Sequence, residues 1–222
     1  MVMEELKLKL DELKKEDERC NAFGASSHGY ELNIPLSETE FKAIEAKYGC
    51  IFPDEYREFI TTVGNGGAGP FYGVFPIEME DDNHDMCSWT DGTLVGNLSK
   101  PFPYSSNWNL PDSFWENEPD CDNCESDEEE DALWETWEEQ LNEKYWAENV
   151  MSGAIPICHA GCARRIWMVV SGPMKGTIWS DLRADYAGIE LLKDDDGRNL
   201  SFKGWYLSWL NKSLKEIRES KN

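Results

Sequence analysis

Cys121-Asp-Asn-Cys124 is the sharpest chemical spacing in the chain. Two thiols three positions apart can grip one metal ion or work as a redox pair. With Cys158, His159 and Cys162 this pair would complete a four-ligand zinc site. The second pair has the looser C-x3-C spacing, however, and free cysteines with Cys158 buried in a strand are the simpler reading. No metal is assigned, and Cys121, Cys124, Cys158 and Cys162 stay as the alternative zinc set. A redox role needs a helix N-terminus or basic neighbours to lower a thiol pKa. The neighbours here are Asp120, Asp122 and Glu125, which would raise it.

The remaining chemical candidates are weaker. His84 stands among Asp81, Asp82 and Asp85, a grouping that suits a metal or acid–base cluster but reads more simply as a solvated acidic loop. Asp194-Asp195-Asp196 precede Gly197 and lack the later bidentate glutamate of a calcium loop, so they read as a polar turn. Gly64–Gly69 is glycine-rich without the Lys-Ser/Thr that a phosphate loop requires, and reads as a helix stop. Neither G-x-S-x-G nor H-E-x-x-H occurs. No catalytic residue and no cofactor is assigned, and the chain reads as non-enzymatic.

Charge carries the stronger signal. Forty-four acidic residues against 21 basic ones give a net charge of −23. Such a surface repels nucleic-acid phosphates and anionic lipid, and it speeds encounter with basic proteins. Residues 112–148 hold sixteen acids and one base, Lys144. The run Glu125–Asp131 is expected to be solvated, and disorder is an open alternative for it. Tight binding also needs aromatic anchors, and Tyr104, Trp108, Phe114 and Trp115 lie beside the acids. The candidate partner-binding set is therefore Glu78, Glu80, Asp81, Asp82 and Asp85 in one loop. It continues with Asp120, Asp122, Glu125, Asp127, Glu128 and Glu129, and with Trp108 and Trp115.

The elements that would position these residues follow from periodicity. Leu6, Leu10 and Leu13 mark an exposed helix over 3–19, followed by a linker to residue 33. Ser37 and Glu40 form a capping-box pattern, with Leu36 and Phe41 at the staple positions. Phe41, Ile44 and Tyr48 then make the buried stripe, and Gly49 the stop. A further helix starts at Pro53 with Tyr56, Phe59, Ile60 and Val63 on its apolar face, ending at Gly64-Asn65-Gly66-Gly67. Phe71–Ile77 reads as a short strand, and 99–120 as irregular. Leu133, Trp134, Trp137, Leu141 and Tyr145 predict an amphipathic helix. Ile155–Cys158, Ile166–Val170 and Thr177–Trp179 predict strands separated by Gly161, Gly172 and Gly176. A last helix from about Ser201 packs through Phe202, Trp205, Tyr206, Trp209 and Leu210.

A charged start, Met1-Val-Met-Glu-Glu-Leu-Lys, without an apolar core gives no secretory signal, and no run reaches the roughly 18 apolar residues of a membrane span. A cytoplasmic protein with mostly free thiols is expected, since its seven cysteines are odd in number.

Three segments, taken in order, resemble one family. They are Phe52-Pro53-Asp54-Glu55-Tyr56-Arg57-Glu58-Phe59-Ile60 with Gly64-Asn65-Gly66-Gly67, then Ile166–Gly172 with Gly176–Asp181, then Ser201–Leu210. This pattern resembles the SUKH superfamily, which includes yeast cell-wall-assembly regulators and bacterial toxin-immunity proteins. The resemblance covers roughly 34–80 and 150–213. It implies a single α+β domain over 34–222, with helices on a mixed, largely antiparallel sheet and an acidic insertion at about 81–149. It also implies an immunity protein that neutralises a polymorphic toxin, often a nuclease, by direct binding. The partner would be a basic secreted toxin domain, and the alternative is a regulatory interaction hub without a toxin. Oligomeric state is left open.

Overall fold

Local capping chemistry sets where the helices begin. The computed structural model describes residues 2–77, 95–120, 124 and 126–221. Helix α1 spans Val2–Glu16, the single-turn α2 Ala25–His28, α3 Glu38–Tyr48 and α4 Asp54–Thr62. The short α5 spans Asp112–Trp115, α6 Asp127–Lys144 and α7 Phe202–Ser220. At α3 the Ser37 side chain accepts from Glu40 N–H while the Glu40 carboxylate accepts from Ser37 N–H, closing the predicted box. Ser201 caps α7 by accepting from Gly204 N–H. Pro53 sits at the N-cap of α4, one position earlier than a first-turn proline.

Four strands follow: β1 Ala154–Gly161, β2 Arg164–Val169, β3 Ile178–Asp181 and β4 Ile189–Leu191. They pair in the order β1-β2-β3-β4, antiparallel throughout, so the mixed sheet expected from the sequence is wholly antiparallel among the described residues. Trp167 of β2 lies opposite Trp179 of β3. The predicted strand Phe71–Ile77 contributes an isolated bridge from Val74 to Cys158 and the Phe75 N–H to Ile157 carbonyl bond of 2.9 Å. It thus shields the outer edge of β1. At the opposite edge Trp108 bridges Ile189 of β4. Covering both edges removes unpaired backbone groups that would otherwise template aggregation.

Period-two alternation sorts the strand side chains onto two faces. Ile155, Ile157, Ile166, Met168 and Ile178 face the main core, with Phe41, Phe52, Tyr56, Phe59, Phe202 and Tyr206 from the helices. Ala154, Trp167, Val169, Trp179 and Ile189 face a second cluster with Phe102, Val150 and Met151. The shift in register between Pro156 and Cys158 lets Ile157 and Cys158 both join the main core. The result is a single α+β domain in which both faces of the sheet are covered.

The N-terminal helix corrects the sequence reading. Leu6, Leu10 and Leu13 are buried, and α1 packs along α7 and against α4. Beyond α1, Asp17 is buried and accepts from Asn21 N–H, Ala22 N–H and the Tyr30 hydroxyl. That carboxylate fastens the 20–33 segment, and Ala25 and Tyr30 join the main core.

The Gly64-Asn65-Gly66-Gly67 stop has a second task. Asn65 is buried, its side chain accepting from Ile77 N–H at 2.9 Å and donating to Ile77 carbonyl at 3.2 Å. Gly67 has φ +98°, and a Cβ there would lie 2.5 Å from the Glu31 carbonyl oxygen. The motif therefore clamps two passing segments rather than merely ending α4.

Candidate functional site

Residues 102–120 and 126–151 build the layer over the second face of the sheet. Its aromatic side chains meet in a chain of ring contacts. Trp108 stacks on Tyr104 at 4.8 Å and tilts toward Tyr145 at 5.6 Å. Trp115 meets Tyr145 at 5.3 Å and Trp137 at 6.3 Å, and Phe114 meets Trp137 at 5.8 Å. Trp137, Leu141 and Tyr145 form a small buried cluster under α6, with Leu110, Phe114, Trp115 and Trp134 around it. Such ring pairs add about 0.5–1.5 kcal/mol each beyond area burial, so α6 is docked by a dense aromatic seam.

A buried ion pair anchors the C-terminal end of α6 to the sheet. Arg183 donates from Nε and Nη2 to the two Asp181 carboxylate oxygens at 2.9 and 2.7 Å, and from Nη1 to the Tyr145 carbonyl at 2.8 Å. Both side chains are buried, so each satisfies the other where water cannot. The Arg183 guanidinium also lies 4.9 Å from the Trp146 ring centroid. Tyr145 accepts from Gly188 N–H through its hydroxyl, and burial pushes that phenol up to about 12. Gly188 in turn leaves room for the Trp108 carbonyl, since a Cβ would lie 2.1 Å from that oxygen. Trp108 and Tyr145 stood out in the sequence as aromatic residues, but the pairing of Asp181 with Arg183 did not. The signal that could have found Asp181 is its place at the end of an apolar strand.

The acids are then presented by an ordered support. From Asp127 the expected solvated run is the first turn of α6. Ser126 caps it by accepting from Glu129 N–H, and Asp127, Glu128, Glu129 and Glu130 sit where the helix dipole favours negative charge. Helix α6 carries nine acids and one base. Asp127, Glu128 and Glu129 are exposed, as is Asp120 just before the helix. Trp108 and Trp115 are half-buried in the seam, the Trp115 indole donating to Leu110 carbonyl at 3.1 Å. Glu78, Glu80, Asp81, Asp82, Asp85, His84, Asp122 and Glu125 lie outside the described residues.

Between α5 and α6 runs a groove of about 560 Å³, lined on one side by Leu110, Pro111 and Phe114 and on the other by Leu133, Thr136 and Trp137. Leu133, expected on the buried stripe, is 46% exposed at its rim. Lys144 closes one end, its ammonium 5.4 Å from the Phe114 ring centroid.

The cysteines are placed apart by role. The Cys158 thiol is buried in β1, donates toward the Pro70 carbonyl at 3.1 Å, and is pushed up by burial. Cys162 is exposed on the β1–β2 turn, Cys124 is half-buried, and Cys121 lies outside the described residues. Among the described residues no three His, Cys, Asp or Glu side chains group as metal ligands. Asp194 accepts from the N–H groups of Asp196 and Arg198 and from the Arg198 guanidinium, the geometry of a polar turn. Among the described residues no helix is long and apolar enough to cross a membrane.

Comparison with known protein families gives a match. The model of the SMI1 / KNR4 family (SUKH-1) matches residues 35–199, which takes in α3, α4, the acidic layer and all four strands. No curated protein and no solved structure matches.

Proposed function

Since the chain belongs to the SMI1 / KNR4 family (SUKH-1), we propose that it is an immunity protein that neutralises a cognate polymorphic toxin by direct binding. Membership supports an immunity or SMI1/KNR4-type protein-binding role, in a family that is generally non-catalytic. The toxin is a basic domain, a nuclease by preference. Enzymes that handle nucleic acid must bind phosphate and so expose positive charge.

The observation that carries this reading is α6, a capped helix with nine acids docked on an aromatic seam. A rigidly held acidic surface steers a basic partner and orients it, while neighbouring apolar side chains slow its release. Asp120, Asp127, Glu128 and Glu129 contribute the charge on this face. Trp108 and Trp115 act there chiefly by holding the seam, and Glu78, Glu80, Asp81, Asp82 and Asp85 add to the net negative charge that attracts the partner.

Co-purification from the native host with mass spectrometry tests the reading. The expected result is a basic toxin domain whose nuclease activity falls when the chain is added in equal amount. Recovery of a non-toxin regulatory protein instead would favour the interaction-hub reading. Recovery of no specific protein partner would overturn both.

A further inference from the structure

We infer that the turn end of the β1–β2 hairpin is a second recognition surface. Phe23 and Tyr72 take an apolar side chain from an extended segment of a protein partner, and His159 with Arg165 takes a carboxylate on the same segment. This surface rests on the protein-binding role proposed above, and its sign is opposite to that of α6.

Contacts join these four residues into one strip. Phe23 meets Tyr72 edge-on at 5.6 Å, and Tyr72 meets His159 at 5.5 Å. Arg165 is the partner of His159 across β1 and β2, so both side chains leave the same face of the sheet. Burial, and then the nearby Arg165 charge, hold the His159 imidazole below its ordinary pKa. Phe23 is 66% exposed, more than any other aromatic side chain among the described residues, and it also meets Phe71 at 6.4 Å. Tyr72, His159 and Arg165 are half-buried. An aromatic patch left in water beside fixed polar groups is the kind of surface a partner covers. The backbone beneath it is held in costly conformations. Phe71, Cys162 and Ala163 have left-handed φ values of +54°, +46° and +61°. Each such residue costs on the order of 1 kcal/mol and persists only where the surrounding structure imposes it. A Cβ at Gly24 would strike the Phe71 carbonyl, so the turn carrying Phe23 is pressed directly onto the loop carrying Tyr72. The strip is therefore formed before any partner arrives, which lowers the entropy lost on binding.

Charge at the strip itself decides the occupant. Arg164, the hairpin's other cation, is paired with Asp185 at 2.6 Å, and Asp181 is taken up by Arg183 at 2.7 Å. Arg165 is left over. It donates to the Ala163 carbonyl at 2.7 Å, and its buried Nε has no partner. It makes no ion pair among the described residues, in a chain with 44 acids. His159 accepts from Gly161 N–H through Nδ1 at 3.3 Å, which leaves Nε2 as the nitrogen that can donate. A carboxylate set between imidazole and guanidinium gains charge-assisted hydrogen bonds. A lysine or arginine there would be repelled. Nucleic-acid phosphate would suit the two cations but not a net charge of −23. An extended segment rises about 3.3 Å per residue and sends alternate side chains to one side. An apolar residue and an acid four positions apart would thus reach both ends of the strip.

The test uses the full chain and a synthetic heptapeptide blocked at both ends, with Leu at its second position, Asp at its sixth, and Ser or Thr elsewhere. Imidazole resonances are followed by NMR, the His159 signal being the one absent from His159→Gln. The peptide is expected to move that signal saturably. Replacing its Asp by Asn should weaken binding about tenfold or more, the worth of hydrogen bonds between charged groups. Phe23→Ser, at an exposed position that leaves the fold intact, should weaken it about tenfold through lost apolar burial. Arg165→Gln should match the loss seen with the Asn peptide, and Arg165→Lys should recover part of it. Binding that ignores both the Asn exchange and Phe23→Ser would overturn the inference, as would equal binding of a peptide with Lys in place of Asp. So would a His159 signal that stays put up to about 1 mM peptide, the weak end of specific recognition. The protein-binding role fails separately. A partner recovered from the host that binds the combined Phe23→Ser, Arg165→Gln variant as tightly as the native chain sinks this surface and leaves the role standing.

Discussion

Asp17 shows how much a single polar side chain can organise. Burial by itself pushes its carboxyl up, but hydrogen bonds from Ala22 N–H, the Tyr30 hydroxyl and Asn21 outweigh that and hold it below the ordinary carboxylate range. A depressed folded pKa stabilises the fold fully above the unfolded value, near 4, and that contribution is lost as pH falls through the folded pKa. Asp17→Asn should therefore cost about 1–3 kcal/mol at neutral pH. The gap from the native chain should begin to close as the medium is taken below about pH 4 and should narrow further as pH falls toward the depressed folded value. Urea melts at pH 7 and pH 3 measure this, and an equal gap at both would contradict it. Neither Asp17 nor the Asp181–Arg183 pair was legible in the sequence. Each depends on partners, Tyr30 or Tyr145, that only the folded chain brings near.

Element boundaries were legible where the signal is local. The Ser37–Glu40 box, the Gly49 stop and the apolar face of α4 are readable because cap and stripe lie within one or two turns of one another. The Leu6–Leu10–Leu13 stripe was equally visible, yet whether it had a partner was not. Its partner is α7, some two hundred residues on. Strand β4 escaped notice because three residues are too few for alternation to register. Leu133 fits the α6 spacing but stands at the groove rim instead of beneath the helix, since spacing defines a stripe and not its edges. The acidic run was read as solvated from composition alone, whereas Ser126 and the helix dipole make its acids a favourable first turn. Ser126→Ala should then loosen that turn by about 0.5–2 kcal/mol. Hydrogen exchange of the α6 amides would show faster exchange confined to its N-terminal turn. Unchanged exchange there would mean the cap contributes nothing.

For the whole molecule, the sheet divides the work. One face carries the main helical core, α1, α3, α4 and α7. The other face carries an acidic, tryptophan-rich layer, latched to the sheet by Trp108, Tyr145 and Arg183. The α+β class and the family were readable from the three resembling segments, because those segments build the sheet and the helices on it. The candidate site was readable only as charge and aromatic content. Its groove depends on how α5 and α6 meet, which no local pattern encodes.

The central claim is that the acidic face of α6 receives a basic protein partner. Its most direct test is the association rate of the co-purified toxin domain, measured by stopped flow across ionic strength. Wild type is compared with the combined Asp127→Asn, Glu128→Gln and Glu129→Gln variant. Electrostatic steering predicts a wild-type rate that falls steeply with added salt, by about tenfold or more over the accessible range. It predicts a slower variant with a shallower salt dependence. Equal rates for the two chains, unmoved by salt, would contradict the claim.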